Sequence, residues 1–133
     1  MNAYKLTLGT GKDKTTLSFR LTLGSQKALK QKYEQTALAT MLDAIDDAET
    51  LAEVMTEALN YRGNENPITD GEEVYDLLVD NGFAGVGKFT ELIMGIAQAS
   101  GLVDAAQAEK MVKRAQGLID QALDEMDEAP KNQ

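Results

Sequence analysis

The chain has 133 residues, 43% of them hydrophobic and 26% charged, values ordinary for a folded globular protein that exclude a disordered or fibrous one. Neither cysteine nor histidine occurs, so thiol nucleophiles, histidine general bases, Cys/His zinc sites, c-type haem attachment and disulfides are all excluded. The formal charge of -9 is segregated: residues 1–33 hold Lys5, Lys12, Lys14, Arg20, Lys27, Lys30 and Lys32 against Asp13 alone, about +6, which leaves about -15 on the remainder.

The charge distribution limits the possible partners. Nucleic-acid binding needs a basic surface that releases phosphate counterions, and the acidic body opposes that approach, so no nucleic-acid partner is expected. A second use of such a dipole is homo-oligomer formation, the basic end of one copy meeting the acidic body of the next. No apolar stretch approaches the roughly 20 residues that span a bilayer, and Met1 to Leu8 alternates where a secretory signal would be uniformly apolar. The sequence therefore predicts no membrane association and a cytoplasmic compartment.

In chain order, Tyr4, Leu6 and Leu8 alternate with polar residues, as do Leu17, Phe19, Leu21 and Leu23. The glycines and charges of residues 9–14 between them predict a β-hairpin over about 4–23. A lone hairpin is marginal in water, so its greasy face must be covered by the helices that follow or by a partner. From Ser25, a candidate N-cap, the period becomes helical, with Ala28, Leu29 and Tyr33 inward and lysines outward. Leu38, Met41, Leu42 and Ile45 have i, i+3, i+4, i+7 spacing and predict a second helix. Thr50 with Glu53 predicts a capping box ahead of Leu51, Val54, Met55, Ala58 and Leu59.

A loop follows over residues 62–67. Thr69 to Glu72 repeats the capping-box spacing ahead of Val74, Leu77 and Leu78, and Asn81-Gly82 has the residues of a left-handed C-terminal cap. Phe89, Leu92, Ile93, Ile96 and Ala97 predict a helix ending near Ser100-Gly101. Asp104 and Gln107 open the longest periodic stretch, with Met111, Val112, Ala115, Leu118, Ile119, Ala122, Leu123 and Met126 on one side. Asp124, Glu125, Asp127 and Glu128 oppose the helix dipole at its end, which predicts fraying into a flexible tail over 129–133. The expectation is a single α+β domain over 1–128: an N-terminal β-hairpin followed by a bundle of five or six α-helices over about 25–127.

Three motifs invite a chemical reading. Gly82 to Thr90 nearly spells a P-loop, but Phe89 stands where the magnesium-binding hydroxyl belongs, and a capped helix precedes it where the motif needs a buried parallel strand. Asn64 to Gly71 suggests a calcium loop in the wrong register, because Ile68 and Leu77 fall on ligand positions. The pairs Asp46/Asp47 and Glu72/Glu73 lack a cleft partner and read as solvated helix termini. No catalytic residue, cofactor or metal ligand is assigned, and an enzyme is not expected. The methionines, among them Met41, Met55, Met94, Met111 and Met126, occupy apolar positions that suit a core or a groove accepting varied helices. Candidate partner-binding residues are Met55, Leu59, Met94, Met111 and Leu118, with Lys12 and Lys14 at the hairpin tip.

The order of elements carries a resemblance: the hairpin Tyr4 to Leu23, then Ala28-Leu29-Lys30-Gln31-Lys32-Tyr33, the helix Leu38 to Ile45, the helix Leu51 to Leu59, and Tyr75-Asp76-Leu77-Leu78-Val79-Asp80-Asn81-Gly82. Over nearly its whole length the chain resembles the tail assembly chaperones of long-tailed phages and prophages of Gram-positive bacteria. The resemblance implies a non-enzymatic role in the host bacterial cytoplasm, holding the long helical tape measure protein soluble and bringing tail tube protein to it. It also implies that a longer, frameshifted form is often made in such a family. Another phage assembly adaptor, of head-tail connector type, shares the size and charge.

Overall fold

The computed structural model describes residues 2–128. Strand β1 (Tyr4–Leu8) and strand β2 (Thr15–Phe19) form a two-stranded antiparallel sheet, joined through a 3-10 turn at Gly11–Asp13. Six helices follow: α1 (Leu23–Tyr33), α2 (Ala37–Ala44), α3 (Ala48–Leu59), α4 (Gly71–Asp80), α5 (Val86–Ala99) and α6 (Ala105–Glu128). The architecture is α+β, a hairpin followed by helices. Among the described residues no helix is long and apolar enough to cross a membrane.

The hairpin register pairs Tyr4 with Phe19 and Leu6 with Leu17, which gathers the apolar residues on one face. That face is covered by helices, as its marginal stability alone requires. Leu17, Phe19 and Leu21 are fully buried with Met55, Leu59, Leu92 and Ile93 from α3 and α5. The Tyr4 ring lies over Gly95 so closely that a Cβ there would sit 2.3 Å from its Cδ1. Backbone bonds fix the end of β2: Arg20 N–H donates to Ala58 O at 2.9 Å and Leu21 N–H to Ser100 Oγ at 2.8 Å. The outer edge of β2 is closed by one side chain. Asn66 Oδ1 accepts from Ser18 N–H at 2.7 Å, and its Nδ2 donates to Ser18 O at 2.8 Å and Leu59 O at 2.9 Å. The polar loop 62–67 thus supplies the missing edge partner in place of a third strand.

The helix starts differ from the sequence expectation by one turn at two places. Thr22, not Ser25, caps α1, its hydroxyl accepting from Ser25 N–H, because the second apolar run stops pairing at Phe19 and leaves Leu23 exposed on the first turn. Asp47 caps α3, accepting from Thr50 N–H, so Thr50 lies inside the helix. Glu53 is thereby released from a capping role; it reaches across to Lys32 and Tyr33 of α1. For α4 the capping side chain is Asp70, which accepts from Glu72 N–H, one residue after the expected Thr69. The cap at Gly82 is as expected: φ is +75°, Gly82 N–H donates to Val79 O and Phe83 N–H to Leu78 O. Asp104 and Gln107 form a reciprocal capping box at 2.8 and 2.9 Å. The expected tail, 129–133, lies outside the described residues.

Candidate partner-binding groove

The helix α6 carries an apolar stripe, but over residues 105–126 only Ala108 is buried. Its first half packs along α5, and Ile119 Cδ1 approaches the surface of Gly87 at the α5 N-terminus. Residues beyond that point run past the start of α5, leaving Leu123 and Met126 53% and 68% exposed, and Leu118 beside it is 61% exposed. A stripe with this spacing normally marks the side a helix buries. Here half of it is left uncovered.

Two open concavities flank the stripe. One, of about 390 Å³, is lined by Ile45 at the end of α2, Val86 and Thr90 of α5, and Met111, Arg114, Ala115, Leu118, Ile119 and Ala122 of α6. The other, of about 340 Å³, is lined by Leu38 and Leu42 of α2, Met94, Val103, and Gln107, Lys110, Met111 and Arg114 of α6. They share Met111 and Arg114, so they form one groove between α2 and α6 with α5 as its floor. Its uncharged polar side chains are already engaged. Thr90 Oγ1 donates to Val86 O at 2.6 Å and Gln107 caps Asp104. A small-molecule site needs convergent polar groups that fix a ligand's orientation, and this groove offers apolar walls with Lys110 and Arg114 on the rim. Such a surface is suited to the apolar face of a helix.

The residues nominated from the sequence separate on this geometry. Met111 and Leu118 line the groove. Met94 is 1% exposed and lies at the floor of the groove. Met55 and Leu59 are corrected: both are fully buried on the inner face of α3 against the hairpin, so neither presents a surface to a partner. Lys12 and Lys14 are exposed at the hairpin turn and take no part in the groove lining. The sequence reading missed Leu38, Leu42 and Ile45 as groove residues. They had the periodicity of an inward stripe, yet among Leu38, Met41, Leu42 and Ile45 only Met41 is fully buried, and Leu42 is 39% exposed. The available signal was excess: an eight-residue helix with three large apolar side chains, and a fourth, Ile45, at its C-cap, carries more than one contact line can bury.

The P-loop look-alike is structural. Lys88 pairs with Glu91 at 3.4 Å, Phe89 is in the core, and the Thr90 hydroxyl is spent on its own helix. In the calcium-like segment, Asn66 is the β2 clamp, and Asn64 Oδ1 accepts from Asn66 N–H. Among the described residues no group of three or more acidic side chains is placed to hold a metal ion. The most perturbed ionisable cluster lies away from the groove. Burial, followed by the hydrogen bond to Glu53, pushes the Tyr33 phenol up to about 12, while the bonds from Lys32 and then Tyr33 hold the Glu53 carboxyl below its ordinary value. This trio ties α1 to α3. Comparison with protein-family models, curated proteins and solved structures gives no match.

Proposed function

We propose that the protein is a non-enzymatic assembly chaperone that lays an apolar helical segment of a client into the groove between α2 and α6. The groove is the observation that supports this reading: apolar walls on three helices, exposed leucines, and, among the described residues, no convergent set of free polar groups of the kind an active site uses. The resemblance to tail assembly chaperones supplies the client class, a long helical tape measure protein with apolar stripes that need covering before tail tube protein surrounds it. The acidic body suits such a task, because like-charged complexes stay dispersed.

Methionines contribute adaptability. Met94 and Met111 stand at the middle of the groove, where flexible thioethers can follow client side chains of varied shape. Weak contacts at many client segments would allow tube subunits to displace the chaperone in turn. The test is co-expression with the very long helical protein of the same operon. The wild-type chain is expected to raise that protein's soluble fraction, and Leu42→Asp with Met111→Asp to abolish the effect while leaving the far-UV circular dichroism unchanged. Equal rescue by the double variant would refute the groove as the client site, and no rescue by the wild type would refute the chaperone reading itself.

A further inference from the structure

The rim of the groove holds cations within the acidic part of the chain, residues 34–133. Lys110 and Arg114 both line it, and neither has an ion-pair partner among the described residues, whereas Lys113, on another side of the helix, is paired with Glu109 at 3.0 Å. Unpaired cations beside an apolar strip favour an occupant that is apolar on one face and acidic beside it. The protein contains such a segment. The second half of α6 carries Leu118 and Ala122 on the stripe, with Asp120, Asp124 and Glu125 around it and no basic residue through residue 128.

We propose that a second copy of the chain occupies the groove, the two α6 helices packing antiparallel about a two-fold axis near Leu118. At 3.6 residues per turn, Met111, Leu118 and Ala122 fall on one line, and Lys110, Arg114, Gln121 and Glu125 fall together on the flank that faces α2. In an antiparallel pair the same flank of both helices meets. With the axis at Leu118, Lys110 and Arg114 of one copy therefore come opposite Glu125 and Gln121 of the other, and the pairing is repeated by symmetry. A parallel pair would instead set Asp120, Asp124 and Glu125 of one copy beside the same acids of the other. Charge thus selects the direction of pairing, and Leu118, 61% exposed in the single chain, finds its cover in its own symmetry mate. Client and second copy then compete for Leu118.

This inference does not depend on the client reading, and its test uses the protein alone. Sedimentation equilibrium of the full chain is expected to give a concentration-dependent monomer–dimer mass, weakened by salt. The pair Lys110→Glu with Arg114→Glu raises the dimer dissociation constant about tenfold or more, as does Glu125→Lys, since each change is felt twice in a symmetric interface. The triple variant restores the match and is expected within about threefold of the wild type. Leu118→Glu weakens the dimer on the order of a hundredfold. All four sites are at the rim or exposed, and an unchanged melting temperature at low concentration checks that each variant folds. A single-chain mass up to about 1 mM, a ring or filament in place of a closed pair, a dimer indifferent to Leu118→Glu, or failure of the triple variant to recover would each overturn the assignment.

Discussion

Asn66 is expected to be worth more to this fold than any other polar residue outside the helix caps. It sits in a glycine- and asparagine-rich loop, yet its amide satisfies Ser18 N–H, Ser18 O and Leu59 O at 2.7 to 2.9 Å, joining the free edge of β2 to the end of α3. Replacing it with alanine strands three half-buried backbone groups. At about 1 kcal/mol net for each bond, with water recovering part of the loss at the half-buried edge, the variant should lose about 2–3 kcal/mol. For a chain of this size that corresponds to a melting temperature lower by roughly 8–12 °C. Asn66→Asp sharpens the test. It keeps the shape and the acceptor for Ser18 N–H but turns a carboxylate oxygen toward two carbonyl oxygens, so at neutral pH it should be at least as destabilised as the alanine variant. Below about pH 4 the protonated carboxyl can donate again and the deficit should shrink. Urea denaturation followed by far-UV circular dichroism measures all three proteins, with an unchanged m-value showing that only stability moved. An alanine variant within about 0.5 kcal/mol of the wild type, or an aspartate variant as stable as the native chain at pH 7, would refute the clamp.

Two glycines make opposite predictions. A Cβ on Gly71 would lie 1.7 Å from Ala52 O and 2.6 Å from Thr56 Oγ1, where α4 starts against α3, so Gly71→Ala should cost at least about 2 kcal/mol. Gly117 stands mid-helix in α6 with open space around it, and Gly117→Ala should stabilise the helix by about 0.5–1 kcal/mol, read from thermal melts of both variants. The Lys32–Tyr33–Glu53 trio predicts loss of stability at both pH extremes. Tyr33 titrates at 10.0 unfolded and about 12 folded, so its contribution is complete below pH 10 and disappears as pH rises to about 12. Glu53 is held below its ordinary 4.5, so its contribution is complete above that pH and is lost as the solution is acidified through the lower folded value. Phenolate absorbance of the native protein should show a group ionising near 12 that Tyr33→Phe removes and Glu53→Gln lowers; the same titration curve for the wild type and Glu53→Gln would contradict the coupling.

The fold was legible where periodicity and punctuation agree. Tyr4 to Leu8 alternates and is a strand; Asn81-Gly82 and the Asp104/Gln107 pair mark helix ends by backbone chemistry that depends on a few neighbouring residues. Capping was misread where several candidates crowd together. Asp47 and Thr50 are three residues apart, and both are competent caps. The choice fell to Asp47 because a helix begun there buries Leu51 and Val54 and frees Glu53 for Lys32 and Tyr33, a gain that lies 20 residues away in the sequence. The Asn66 clamp was likewise invisible, since nothing local distinguishes Asn66 from Asn64 until β2 is brought beside it.

The groove was half legible for a related reason. Apolar periodicity reports that a side chain seeks cover, without saying from which chain the cover comes. Met55 and Leu118 look alike in sequence, each on an amphipathic stripe, yet α3 is wrapped by the hairpin and by α4 whereas α6 outruns α5. The deciding quantity is therefore length: α6 has 24 residues and α5 has 14, so at 1.5 Å per residue about 15 Å of the longer helix has no counterpart on the shorter. That unmatched segment and the α2 wall beside it are where this protein has apolar surface to offer. Any reading of its function has to account for what covers them.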